Sequence, residues 1–233
     1  LSTRKEVEVI DVVVKVGGSL AEEPELLIKI CAKLSFLAAK YQFIVVPGGG
    51  MFADVIRDYD KRFNLSSQVS HRMAILGMDQ FGMLLAQITP NSIATLSLND
   101  AKQISETEAV PIFLPSRLML KDNPLENSWD VTSDSIAAYI SIRLKTPKLI
   151  LIKDVDGVFT KEPEYEAAVF IEQLSPEELL KFDKATSVDM FLAKLLSDSP
   201  VDCYIVNGKY PNRIEAIFAG KKATYTLITK QTK

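Results

Sequence analysis

Val9-Ile10-Asp11-Val12-Val13-Val14-Lys15-Val16-Gly17-Gly18-Ser19 is a β-branched run, broken only by Asp11 and Lys15, that stops at two glycines. Branched side chains suit a pleated surface, so the run reads as a buried strand and the glycines as the tight turn that ends it. Residues 24–40 follow with Leu26, Leu27, Ile30, Leu34 and Leu37 at helical spacing, which predicts an amphipathic helix. Residues 43–46 form a second short apolar run that also enters glycines, and 52–62 begin another helix. A strand–glycine turn–helix rhythm, met twice near the start of the chain, predicts βαβ units and a mainly parallel α/β sheet covered on both faces.

Later segments continue the rhythm. The patterns predict helices over 70–88 and 135–144, and buried strands over 149–152 and 201–206. The polar stretch 123–129, beyond Pro115, reads as a surface loop between two halves. No tandem repeat or flexible linker interrupts the 233 residues, so one domain over 1–233 is expected. A net charge of -3 gives no electrostatic case for nucleic acid or an anionic membrane. No apolar run approaches the ~20 residues that span a bilayer, and residues 1–11 lack the apolar segment of a signal peptide. Cys31 and Cys203 each sit in an apolar segment and read as reduced thiols. A cytoplasmic protein is expected.

Four stretches carry chemistry. In Lys15-Val16-Gly17-Gly18-Ser19, glycines at a strand end let the backbone approach a ligand and turn N–H groups towards phosphate. The following helix adds positive potential at its start. Pro47-Gly48-Gly49-Gly50 has one glycine more than a turn needs, and each costs roughly 0.5–1 kcal/mol in regular structure, which suggests close backbone packing on a ligand. Two such turns at the carboxyl ends of neighbouring parallel strands would face one crevice. Asp130-Val131-Thr132-Ser133-Asp134-Ser135 precedes a helix and holds more acids and hydroxyls than one N-cap requires. Asp134 is the candidate to orient Lys15 and keep it charged, with Thr132 and Ser133 as phosphate or magnesium-shell contacts. The fourth stretch is the strand leading into Lys153-Asp154-Val155-Asp156-Gly157-Val158-Phe159; its acids lack the remaining ligand spacing of a calcium loop. No protein metal site is assigned.

Taken in this order, KVGGS, PGGG, DVTSDSIAA, IKDVDGVFTKEP and the late IVNG ending at Gly208 resemble the amino acid kinase superfamily over nearly the whole chain. The resemblance implies a three-layer αβα sandwich with a mainly parallel open sheet. It also implies an acceptor-binding lobe over 1–130, an ATP-binding lobe over 131–233, and ATP with Mg2+. By the same resemblance, Lys15 stabilises the transferring phosphoryl group and Asp134 organises the active-site lysines. Gly17, Gly18 and Ser19 form the phosphate loop, and Gly48, Gly49 and Gly50 the acceptor-side glycines. Lys153, Asp154, Asp156, Gly157, Val158 and Phe159 form the nucleotide turn, with Lys161 beside the phosphates. Many relatives carry a second lysine in a TGGM-x-x-K stretch; here residues 186–194 lack those glycines, and Lys194 is the displaced candidate. Members usually form dimers or larger assemblies, so a homo-oligomer is expected.

The segment 70–82, with PGGG-x-F-A-D upstream, is similar to a subgroup that phosphorylates an (aminomethyl)furanmethyl phosphate, giving the diphosphate used to build methanofuran or methylofuran. A small-molecule phosphate acceptor is therefore expected. On this wall His71, the one histidine, is placed to hydrogen-bond the acceptor phosphate, and Arg57 to contact it through its planar fork. Asp79 or Asp54 could pair with an ammonium on the acceptor. The stripe Met73, Leu76, Met83 and Leu84 reads as core or subunit interface. Two alternatives stand beside this reading: a kinase for a carboxylate or nucleoside monophosphate, and an ATP-binding storage or regulatory protein without turnover.

Overall fold

Eight strands form one mostly parallel sheet in a computed structural model that describes residues 10–161, 168–182 and 187–230. Val9, Glu162, Pro163 and Thr186 of the stretches quoted above lie outside the described residues. The strands are β1 (Val12–Val16), β2 (Phe43–Pro47), β3 (Ser92–Thr95), β4 (Val110–Phe113) and β5 (Lys148–Lys153), then β8 (Gln173–Leu174), β9 (Asp202–Asn207) and β10 (Thr226–Ile228). A separate short ribbon pairs β6 (Val158–Phe159) with β7 (Phe170–Ile171) in antiparallel register. In the sheet order β3-β4-β2-β1-β5-β9-β10-β8 the ladders from β3 through to β9 are parallel, whereas β10 runs antiparallel to β9.

The helices are α1 (Pro24–Ala38), α2 (Gly50–Phe63), α3 (Ser67–Ile88), α4 (Leu98–Ser105), α5 (Ser116–Asp122), α6 (Ser133–Leu144), α7 (Pro176–Leu179), α8 (Met190–Ser197) and α9 (Pro211–Phe218). The predicted helices all form, within a few residues of their expected ends. Side-chain alternation along each strand divides the core into two layers. Val12, Val14, Val16, Ile150 and Ile152 pack with α1 and α9, while Val13, Leu149 and Leu151 pack with α6 and α8. The αβα sandwich follows from this division.

The same alternation positions the chemistry. Lys15 lies two residues after Val13, and Lys153 two after Leu151, so both lysines emerge on the α6 side at the carboxyl ends of adjacent strands. Backbone bonds knit those ends together: Gly17 N–H donates to Ile152 O at 2.8 Å, Gly48 N–H to Val16 O at 2.8 Å, and Gly208 N–H to Lys153 O at 2.7 Å. Among the described residues no helix is long and apolar enough to cross a membrane. Cys31 and Cys203 are both buried free thiols.

Candidate active site

A cavity of about 270 Å³ opens where the two glycine turns meet the start of α6. Its lining draws on both halves of the chain, with Lys15, Gly18, Ser19, Gly49 and Gly50 on one side and Thr132, Ser133, Asp134 and Lys153 on the other. Gly18 and Ser19 open a 3-10 turn (Gly18–Glu22), and Gly50 opens α2. The first N–H groups of a helix have no intrahelical partner, so both turns present donors to the cavity. The N–H groups of Gly17 and Gly48 do not join them, because the sheet bonds above engage both.

The glycines also answer to one another. A Cβ on Gly18 would fall 2.1 Å from Gly50 N, and one on Gly48 would fall 2.6 Å from Gly18 N. Gly50 adds a left-handed φ of 52°. Close approach was expected from the three consecutive glycines; the partner in this structure is the other turn's backbone.

Asp134 sits in the first turn of α6, behind the N-cap Thr132, and is 2% exposed. Lys15 Nζ lies 2.8 Å from its Oδ1, off the best hydrogen-bonding angle, and Lys153 Nζ donates to Oδ2 at 2.6 Å. Lys153 Nζ also donates to the Ser187 carbonyl. Burial works to raise the Asp134 pKa, but the two ammonium groups outweigh it and hold the carboxyl at about 2. Burial pushes Lys15 below its ordinary value; Asp134 opposes that push and the Lys153 charge adds to it. One carboxylate thus faces two ammonium groups, leaving an excess positive charge that an incoming anion would neutralise.

Asp189 fixes this turn from behind. Buried at the N-cap of α8, it accepts from Thr132 N at 3.1 Å, Thr132 Oγ1 at 2.6 Å, Ser135 N at 3.1 Å and Leu192 N at 2.8 Å, and also from Ser135 Oγ. Nothing in the sequence tied Asp189 to the site, because Thr132 and Ser135 lie more than fifty residues away; Val-Asp-Met before an apolar run, an N-cap signal met by Leu192 N, was the only local sign. Thr132 and Ser133 both line the cavity beside Asp134, and the Thr132 hydroxyl is bonded to Asp189.

At the far end the wall comes from α2 and α3. Arg57 lines it, paired with Asp54 at 2.7 Å. His71 is 6% exposed; burial lowers its pKa, partly offset by a hydrogen bond from its ring to the Ser128 backbone carbonyl. A neutral imidazole that donates there keeps its second nitrogen as an acceptor. Asp79 stands outside the lining, where its Oδ1 accepts from Ser116 N at 3.1 Å at the start of α5, and burial raises its pKa. Trp129, the last residue of the expected surface loop, lines the cavity instead.

The remaining expected residues lie beyond the lining. Asp156 accepts from Asn207 Nδ2 at 3.2 Å and pairs with Arg213 at 2.5 Å, which itself stacks on Tyr210. Gly157, with φ 156°, packs on Thr226, whose Oγ1 accepts from Val158 N at 2.8 Å. Phe159 packs edge-on against Phe170; Asp154 and Lys161 are exposed. Lys194 is exposed on α8 with its ammonium over the Phe191 ring, whereas Lys153 is the second lysine that lines the cavity.

Residues 12–207 match the amino acid kinase family. The chain belongs to that family. It is 36% identical over 216 residues, covering 93% of this chain and 96% of the other, to the [5-(aminomethyl)furan-3-yl]methyl phosphate kinase of Methanocaldococcus jannaschii. It is 25% identical over 224 residues, 88% of this chain and 94% of the other, to the uridylate kinase of Archaeoglobus fulgidus. The crystal structure of uridylate kinase from that organism superposes with a TM-score of 0.73 at 22% identity, over 94% of this chain and all of that one. UMP kinase from Ureaplasma parvum gives 0.71 at 17% identity, over 96% and 100%. The αβα fold is therefore shared, and the amino acid kinase is a phosphotransferase.

Proposed function

We propose that this kinase transfers the γ-phosphoryl group of ATP to a small phosphomonoester, (aminomethyl)furanmethyl phosphate, and so makes a diphosphate. The observation that carries the reading is Lys15 and Lys153 converging on the one carboxylate of Asp134 between two glycine turns. A phosphate oxygen of the acceptor attacks the γ-phosphorus, the bond to the β–γ bridging oxygen breaks, and ADP leaves. Such a transfer needs in-line positioning and charge neutralisation rather than a covalent enzyme intermediate. Lys15 neutralises the moving group, Asp134 holds Lys15 and Lys153 in place, and the amides of Gly18, Ser19, Gly49 and Gly50 cradle the phosphates. Among the described residues no group of three or more His, Cys, Asp or Glu side chains could hold a metal ion. The donors present fit Mg2+ that arrives on the nucleotide, with phosphate and water as its ligands; it would neutralise β- and γ-phosphate charge.

The acceptor lobe is assigned to 1–130 and the ATP lobe to 131–233, where the turn from Lys153 to Phe159 and Lys161 takes the nucleotide. Arg57 reaches the acceptor, and Asp54, which shares the wall with it, is the better partner than Asp79 for an acceptor ammonium. Support for the furan phosphate comes from the 36% identical relative that carries that name. The uridylate kinase relatives favour a nucleoside monophosphate as the second reading. The paired lysines argue against a binding protein without turnover. A homo-oligomer is proposed, with the exposed apolar side chains Leu76, Met83 and Leu84 of α3 and Ile93 of the edge strand β3 as its contacts. A cytoplasmic location accords with the two reduced thiols.

The test is turnover with ATP and Mg2+ across a panel of the furan phosphate, isopentenyl phosphate, UMP, acetylglutamate and carbamate, with Lys15→Ala as control. Turnover confined to the furan phosphate and lost in the control is expected. Turnover of UMP alone would move the acceptor to the second reading.

A further inference from the structure

We infer that Trp129 is the aromatic wall against which the acceptor's ring lies, and that it selects a planar ring over an aliphatic chain of similar size. The inference rests on the kinase reading above and adds a specificity-determining residue to it. Trp129 is the one tryptophan in the chain. It lines the cavity together with the small and apolar side chains of Ala53, Ala74, Ile75 and Met78.

The ring is held in place by polar contacts at its edge and face. Its Nε1–H donates to Asp60 Oδ2 at 2.6 Å. The Arg57 guanidinium lies 4.9 Å from the ring centroid and is itself held by Asp54 at 2.7 Å. The preceding residue, Ser128, accepts from His71 through its carbonyl. Asp60 on α2 and His71 on α3 therefore fix a short stretch that has no regular secondary structure, and Asp54 acts on it only through Arg57. These bonds do not complete a core, because α2 contributes no buried residue. They fix where the indole stands relative to the cavity.

That placement suits a particular ligand chemistry. The transferring end of the acceptor must lie near Lys15 and the glycine turns, which leaves the body of the molecule towards α2 and α3. A flat, electron-rich heterocycle can stack offset or edge-on against an indole, and gains attraction beyond the area it buries. The negative face of the indole also favours an ammonium carried by that ring. An aliphatic phosphate of equal size gains the area but not the ring contact. A tryptophan fixed by one hydrogen bond and a guanidinium over its ring loses little conformational freedom when the ligand arrives.

Because Trp129 is the one tryptophan, its emission reports the contact in the unaltered protein. Titration of wild type with 3-furylmethyl phosphate, without ATP, is expected to change the emission saturably, and isoamyl phosphate is expected to change it much less. Trp129→Leu, checked by thermal melting, should raise KM for the furan phosphate about 3- to 10-fold while KM for ATP holds. Trp129→Phe should restore most of the loss. Unmoved emission at an acceptor concentration that saturates turnover would overturn the inference, and so would a wild-type acceptor KM in a folded Trp129→Leu protein. Either result with normal wild-type turnover sinks the ring contact alone. A wild type that phosphorylates UMP and no furan phosphate sinks the acceptor reading, and the ring contact with it.

Discussion

Gly18 and Gly50 pack main chain on main chain, so closely that a Cβ on Gly18 would stand 2.1 Å from the Gly50 nitrogen. The two turns that frame the cavity are thus packed as one structural unit. Gly18→Ala should cost upwards of about 3 kcal/mol, because backbone rather than a flexible side chain must give way. Gly220→Ala is the control: its φ of 65° is strained for alanine but nothing lies within 4 Å, so about 1 kcal/mol is expected. Urea unfolding midpoints of the two variants check the contrast.

Lys153 and Lys194 compete for the role of second cation, and the geometry separates them. Lys153→Met should lower kcat by about 100- to 1,000-fold, the scale for losing one preorganised donor to a transferring group. Lys194→Met should leave kcat within about twofold, since that ammonium lies over Phe191 on an exposed helix face. Steady-state rates of both variants decide the assignment.

Much of this arrangement was legible in the sequence, and the part that was not has a common cause. The β-branched run placed Lys15 near the end of a buried strand, and the glycine runs marked two turns at one crevice. Those signals are local. The contacts that escaped reading join distant positions: Asp189 to Thr132 across 57 residues, and Trp129 to Asp60 across 69. No periodicity or spacing rule connects such pairs. The loop 123–129 looked like solvated surface because its composition is polar, yet two hydrogen bonds turn its end into the cavity wall. The third glycine of Pro47-Gly48-Gly49-Gly50 was read as close packing on a ligand, and the structure adds a close approach to the Gly18 backbone; the two leave the same mark in sequence.

The Asp134 carboxyl is held at about 2, below its ordinary 3.8, so it contributes stability above pH 3.8 that disappears as the pH falls towards 2. The contribution is on the order of 2 kcal/mol. Asp134→Asn should therefore be less stable than wild type at pH 5, where it leaves two lysines facing each other without a counter-charge. The gap should narrow by pH 2.5. Guanidinium unfolding at the two pH values measures it.

Asp54 and Asp79 are both already partnered, Asp54 by Arg57 and Asp79 by the Ser116 N–H, and they differ in where they stand. Asp79 accepts from the Ser116 N–H and lies outside the cavity, whereas Asp54 lines it. Asp54→Asn should raise KM for an aminomethyl acceptor about tenfold, as expected for one lost charge-assisted hydrogen bond. Asp79→Asn should change that KM by less than about twofold. Initial-rate kinetics with the amine-bearing acceptor and its des-amino analogue separate the two.

The central claim is phosphoryl transfer onto an existing phosphate, and phosphorus NMR of one reaction mixture tests it most directly. With ATP, Mg2+ and (aminomethyl)furanmethyl phosphate, the account predicts loss of the acceptor's monoester resonance. A pair of mutually coupled diphosphate resonances should appear in step with ADP, and Lys15→Ala should produce none. ADP that accumulates with inorganic phosphate while the monoester resonance stays unchanged would contradict the account.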